Sequence, residues 1–133
     1  MVLDTSAILA VLLAEPDSER FETAVAQTAS VLVSAGTHLE AAIVVEARLG
    51  AAGGRELDKL LRRWSVTVEP VDADQVDIGR RAYRTYGRGH HTAGLNYGDC
   101  FSYALAIATG EPLLFKGEDF SRTDVIIALT PDA

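Results

Sequence analysis

Short apolar runs alternate along this chain with longer stretches whose apolar positions recur at helical spacing. The opening Met1-Val2-Leu3 reads as a strand running into Asp4, followed by an almost wholly apolar, hence buried, helix over residues 5–14. Pro16 breaks that helix and suits the first turn of another, from about residue 17 to 28. Val31-Leu32-Val33 is a second strand. Ser34 caps a long helix that reaches Leu49 and stops at Gly50, and residues 54–64 form a further helix. Val66-Thr67-Val68, with Val71 close behind, is a third strand, and Asp72 caps a helix ending near Tyr86-Gly87. A polar, glycine-rich loop over residues 87–94 leads to an apolar helix opened by Asn96 or Tyr97, running to Ala108 and stopped by Thr109-Gly110. Pro112-Leu113-Leu114-Phe115 and Val125-Ile126-Ile127 are the remaining strands. Three- and four-residue apolar strands alternating with helices indicate an α/β fold, with a short, mainly parallel sheet covered by helices on both faces.

With 133 residues the chain fits one domain, 1–133. Its only cysteine, Cys100, excludes an internal disulfide and suits a reducing cytoplasm; within the run Cys100-Phe101-Ser102-Tyr103-Ala104 it reads as a small buried hydrophobe. No run reaches the roughly 20 apolar residues of a membrane span, and Asp4 interrupts the first apolar stretch, so no membrane association is expected. The net charge of -7 argues against a protein that coats nucleic acid by bulk electrostatics, but not against an enzyme with concentrated acids and a local basic patch.

The acids fall at informative places. In open α/β sheets, sites form at the carboxyl ends of strands. Asp4 ends the first strand, Asp99 lies in the first turn of the helix after the glycine-rich loop, and Asp119, beside Glu118, follows the strand ending at Phe115. Glu40 lies on the helix after the second strand. Between Leu39 and Leu49 the only polar residues are Glu40, Glu46 and Arg48, and the latter two project about 120° and about 80° away from Glu40. Such an apolar helix should be largely covered, and a buried carboxylate needs a partner or a metal. Each acid also has a plain structural reading: Asp4 as the N-cap of the first helix, Asp99 as half of a capping box with Asn96, Asp119 as cap of a short helix, Glu40 as an exposed first-turn charge. Convergence at strand ends favours a shared site. Carboxylates without sulfur ligands suit Mg²⁺ or Mn²⁺ better than Zn²⁺.

The ordered set of motifs resembles one family. Asp4-Thr5-Ser6-Ala7 after a short strand resembles the opening of PIN domains, and Glu40 matches their second acid. Asn96-Tyr97-Gly98-Asp99-Cys100, then Gly110-Glu111-Pro112-Leu113-Leu114-Phe115, resembles the third-acid helix and following strand of VapC toxins, and Glu118-Asp119-Phe120 their closing Asp-Phe. The resemblance spans essentially the whole chain. One departure is Gly117, where many relatives carry an acid or Asn, so the fourth acid is Asp119, Glu118 or none. The resemblance implies a PIN-like three-layer fold and the toxin component of a type II toxin–antitoxin system: a cytoplasmic, homodimeric endoribonuclease dependent on Mg²⁺, with Mn²⁺ able to substitute, held inactive by a cognate VapB-type antitoxin. Asp4 and Asp99 would be the principal metal ligands, Glu40 would hold a metal-bound water or position the nucleophile, and Asp119 would complete the catalytic set. Ser6 or Thr5 would orient a carboxylate or touch phosphate.

For RNA, the basic candidates are Arg80, Arg81, Arg84, Arg88, His90, His91 and Lys116, of which Arg84, Arg88, His90 and Lys116, with Ser6, form the expected substrate-binding set. Arg81, Arg84 and Arg88 recur at helical spacing and can share a stripe, or simply a solvated face. Tyr83, Tyr86 and Tyr97 can stack on bases, or pack in the core or a dimer contact. A receiver domain would need an acidic pair after its first strand, but Leu3 precedes Asp4. A haloacid-dehalogenase-type phosphatase would need Asp where Ser6 stands. The remaining alternative is a catalytically silent PIN-like protein-binding module.

Overall fold

Four strands of two or three residues stand side by side, every pair parallel. The computed structural model describes residues 1–130. Its elements are β1 (Val2–Leu3), α1 (Thr5–Leu12), α2 (Ser18–Ala26), β2 (Leu32–Ser34), α3 (Ala35–Arg63), β3 (Thr67–Glu69), α4 (Ala73–Tyr86), α5 (Tyr97–Thr109) and β4 (Leu113–Leu114), with a single 3-10 turn at Phe120–Arg122. The order across the sheet is β3-β2-β1-β4, so β1 lies between the strand that follows it and the last one. At that switch point the chain leaves the sheet in opposite directions, which opens a crevice at the carboxyl end of β1.

Strand side chains alternate between faces, and two cores result. Met1, Leu3, Val31, Val33 and Leu114 pack with Ala7, Ile8, Phe21, Val25, Leu57, Leu60 and Trp64 from α1, α2 and α3. Val2, Leu113 and Phe115 face the other way, onto Ala82 of α4, Tyr103, Leu105 and Ala106 of α5, and Phe120 and Val125. Helices, sheet and helices make the three layers expected from the sequence. Tyr103 donates from its hydroxyl to Asp124 Oδ1 at 2.6 Å, tying the C-terminal segment to α5.

Several expectations need correction. Residues 125–127 form no strand: Leu113 bonds along this segment through Ile126 O and Ala128 N, but only one bridge, Leu113–Ile127, results, because β4 offers two residues and no ladder can grow. Gly50 does end the first helical stretch of α3, as expected, its φ of 69° and ψ of -164° being non-helical, but the second stretch follows directly across this kink rather than starting at residue 54. The apolar surface of α3 is only partly covered: Ala41 and Val45 are buried, whereas Leu39 is 62% and Ile43 58% exposed. Arg88 lies beyond the end of α4, so of the expected stripe only Arg81 and Arg84 lie on that helix. Cys100 is half-buried rather than buried, its thiol donating to Asn96 O at 3.3 Å. Among the described residues no helix is long and apolar enough to cross a membrane.

Candidate active site

Asp4 leaves β1 in extended backbone and caps α1, its Oδ2 accepting from Ser6 N at 3.0 Å and Ser6 Oγ at 2.6 Å. Its other oxygen, Oδ1, accepts from Ser102 Oγ of α5 at 2.5 Å. Three donors thus satisfy a carboxylate that is only 4% exposed. Ser34, at the end of β2, caps α3 through Gly36 N and so fixes the turn that carries Glu40 toward the crevice. Thr5, the first residue of α1, donates to Glu40 Oε1 at 2.5 Å. The second and first acids are therefore linked through neighbouring residues of one helix start.

The third acid enters with α5. Asn96 and Asp99 form a full capping box: Asn96 Oδ1 accepts from Asp99 N at 2.9 Å, and Asp99 Oδ2 from Asn96 N at 3.0 Å. Gly98 is essential to how closely α5 approaches, since a Cβ there would fall 1.8 Å from Glu40 Oε2. The plain capping readings of Asp4 and Asp99 are thus realised, and the same helix starts bring Glu40 against Thr5 and Gly98. Asp99 is pushed up to about 7, first by burial, then by repulsion from Asp4, Asp119 and Glu40; the Asn96 hydrogen bond pulls the other way. That repulsion is the electrostatic mark of four carboxylates facing one crevice.

The fourth acid is held least. Asp119 starts the 3-10 turn, is exposed, and makes no side-chain capping bond. Gly117, with φ of 99°, turns the chain after β4 in a conformation that suits glycine, and Glu118 pairs with Arg122 at 3.5 Å rather than facing the other acids. Among the described residues no three Asp, Glu, His or Cys side chains are already gathered around a single ion position. The donor set nevertheless fits a hard divalent cation: its oxygens are carboxylates, the neighbouring Cys100 thiol is engaged with Asn96 O, and the acids' mutual repulsion is what such a cation relieves. Asp99 has one oxygen in its cap and the other uncommitted.

The expected RNA-contacting residues divide. Lys116 is drawn away, its ammonium paired with Glu15 and, at 3.2 Å, with Asp17. Ser6 is committed to Asp4, and its oxygen accepts from Lys116 N at 2.9 Å. Arg84, Arg88 and His90 are exposed, on the end of α4 and in the loop that leads into the Asn96 cap; His90 stands edge-on to Tyr83. His91 Nδ1 accepts from Ala93 N and its ring packs on Tyr86, so it is a loop-forming residue. Tyr97 is 79% exposed beside Asp99, whereas Tyr86 packs against Tyr103. The sequence reading missed Ser102 and Gly98. A capping-box pattern with Gly immediately before the acid is a usable signal for the second; nothing local marks the first.

The PIN domain family model matches residues 1–126. The chain belongs to the PIN-domain family. Its relatives within that family carry VapC names. It is 58% identical over 131 residues to Ribonuclease VapC30 of Mycobacterium tuberculosis, covering 98% of this chain and 100% of that one. It is 60% identical over 125 residues to Ribonuclease VapC of Mycolicibacterium smegmatis, covering 94% and 97%. In shape this PIN domain is similar to VapC20 of M. tuberculosis, with TM-score 0.74 at 18% identity over 94% of this chain and 95% of that one. It is also similar to a chain of VapBC2 from Rickettsia felis, with TM-score 0.76 at 17% identity over 99% and 98%.

Proposed function

We propose that this chain is the endoribonuclease toxin of a VapBC toxin–antitoxin pair, hydrolysing RNA phosphodiesters with a divalent cation, Mg²⁺ or Mn²⁺, held by Asp4 and Asp99. The observation that carries the catalytic reading is that Asp4, Glu40 and Asp119 lie close enough to Asp99 to repel its charge, adding to burial, the main cause of its raised carboxyl pKa. The names of the most similar relatives support the reaction class. A cation held there supplies a Lewis acid for the scissile phosphate and activates a water for attack. The protein's own part is placement. Ser6 and Ser102 fix the Asp4 carboxylate, and Asn96 fixes Asp99. Glu40, with Oε1 engaged by Thr5, keeps Oε2 to orient the attacking water and take its proton. Attack forms a bond from the water oxygen to phosphorus and breaks the bond to the 3′ oxygen, leaving a 5′-phosphate and a 3′-hydroxyl. Arg84, Arg88 and His90 at the rim hold flanking phosphates, and Tyr97 offers a face for a base.

A cognate VapB-type antitoxin is the expected partner, and a second copy of the chain the expected assembly. Support for the first comes from the carboxylate crevice, which a guanidinium of a partner can neutralise in the absence of the metal, and from the exposed Leu39 and Ile43 beside it. The deciding experiment is cleavage of a structured RNA by protein stripped with EDTA and then supplied with Mg²⁺ or Mn²⁺. Cleavage restored only by the cation, with 5′-phosphate ends, is the expected result. Full cleavage by the stripped protein removes the mechanism, and no cleavage under any condition favours a silent protein-binding module.

A further inference from the structure

Ser102 sits one turn beyond Asp99 on α5, is 0% exposed, and carries a single hydroxyl proton. A serine inside a helix ordinarily returns that proton to a carbonyl three or four residues earlier. Here that carbonyl, Asp99 O, lies 3.4 Å away, while Asp4 Oδ1 lies at 2.5 Å. The charged acceptor takes the proton. The bond spans 98 residues of sequence and is the direct link between the acid of β1 and the helix that bears Asp99.

A carboxylate oxygen accepts about two hydrogen bonds in its plane. Asp4 Oδ2 already accepts two, from Ser6 N and Ser6 Oγ. Asp4 Oδ1 accepts one, from Ser102, among the described residues. Only Oδ1 therefore retains a donor site. We propose that Ser102 is a positioning residue that fixes the Asp4 carboxylate so that it meets the divalent cation through Oδ1 alone. The Ser6 contacts take up the acceptor positions of Oδ2, which leaves Oδ1 as the oxygen open to a cation, and the Ser102 contact restrains rotation of the carboxyl group.

This assignment rests on the metal-dependent reading above, and its test separates the two. The measurement is calorimetric titration of Mn²⁺ into the metal-free full chain, under reducing conditions, for the parent, Ser102→Ala, Ser102→Cys and Tyr103→Phe. Partners of this kind typically govern metal affinity by 10- to 100-fold. Ser102→Ala is expected to bind Mn²⁺ weaker by roughly that factor, with Ser102→Cys, a weaker donor of similar shape, between it and the parent. Tyr103→Phe, at the next position of α5, loses a part-buried bond to Asp124 rather than one to Asp4, Glu40, Asp99 or Asp119, and should stay within about twofold of the parent, which separates positioning from general loosening. Should Ser102→Ala not fold, the Ser102→Cys affinity decides alone. Parental affinity in both Ser102 variants, or an equal loss in Tyr103→Phe, overturns the assignment while the metal reading stands. A parent that binds no Mn²⁺ overturns both.

Discussion

Gly98→Ala places a methyl group where Glu40 now has its carboxylate. The new Cβ would lie 1.8 Å from Oε2, 2.5 Å from Cδ and 2.8 Å from Oε1. Ordinary contact is about 3.5 Å, so the carboxylate must retreat by roughly 1.7 Å or α5 must lift away. Glu40 is the flexible party, and its retreat breaks the 2.5 Å bond from Thr5. A hydrogen bond to a charged group contributes about 1.5–3 kcal/mol, against at most about 1 kcal/mol that Ala returns in helix propensity. The variant should lose about 0.5–2 kcal/mol, a fall of roughly 5 °C in Tm for a chain of this size. Cleavage should fall further, by about a hundredfold, because misplacement of a reacting group by about 1 Å costs that much. The assays are thermal melts and initial cleavage rates with saturating Mg²⁺. Because the clash is with one side chain, the double variant should tell: Gly98→Ala in a Glu40→Ala background should not lower Tm, leaving only the helix gain. A Gly98→Ala protein that melts with the parent and cleaves within threefold of it, or a loss that persists without Glu40, refutes the close approach as the reason for glycine.

Asp4→Asn and Asp99→Asn should each reduce cleavage to background while leaving far-UV circular dichroism unchanged, and Asp119→Asn should be milder; an inactive Asp119→Asn beside an active Asp99→Asn would reverse the assignment of the site. Metal-free protein should grow less stable as pH rises from about 4 to 7. The native state keeps the Asp99 proton to about 7 while the unfolded chain releases it near 3.8, so the unfolded state binds fewer protons across that window. The full shift corresponds to about 4 kcal/mol, and solvent screening of a partly open carboxyl leaves about half; Asp99→Asn should flatten the slope in denaturant titrations at pH 5 and 8, and an unchanged slope would place the titrating group elsewhere. Since a ligand must be deprotonated, the stabilisation by Mn²⁺ should be larger at pH 8 than at pH 5.

The order of strands and helices was legible because hydrophobic period and helix caps are local. Ser34, Asp72, Asn96 and Gly110 all end or begin helices where their chemistry directs. Residues 125–127 misled because a β-branched run states a propensity, whereas a ladder needs a partner long enough to pair with. The apolar stretch around Leu39 and Ile43 misled for a related reason: a helix face awaiting a partner and one facing the core have the same composition. Among site residues, Asp4, Glu40 and Asp99 were legible as acids at strand ends and on an apolar helix. Lys116 read as a free cation because Glu15 and Asp17, about a hundred residues away in sequence, become its neighbours only in the fold. Ser102 was invisible for the same reason, its acceptor being 98 residues distant.

The plain and the functional readings of these acids turn out to be one arrangement. Carboxylates that repel one another must be held in the absence of a cation, and each one near the centre is held by a donor: Asp4 by Ser6 and Ser102, Glu40 by Thr5, Asp99 by Asn96. Two of these donor sets belong to helix N-termini, where backbone N–H groups and the helix dipole favour negative charge. Capping is therefore the means by which this fold assembles a site too repulsive to form otherwise. It also orders the acids by commitment. Asp119 has no donor among the described residues and lies exposed, so it adds repulsion at Asp99 without being fixed relative to it. A carboxylate that the protein does not orient contributes charge to the crevice more than geometry, which is why its removal should cost less than the removal of any of the three that are held.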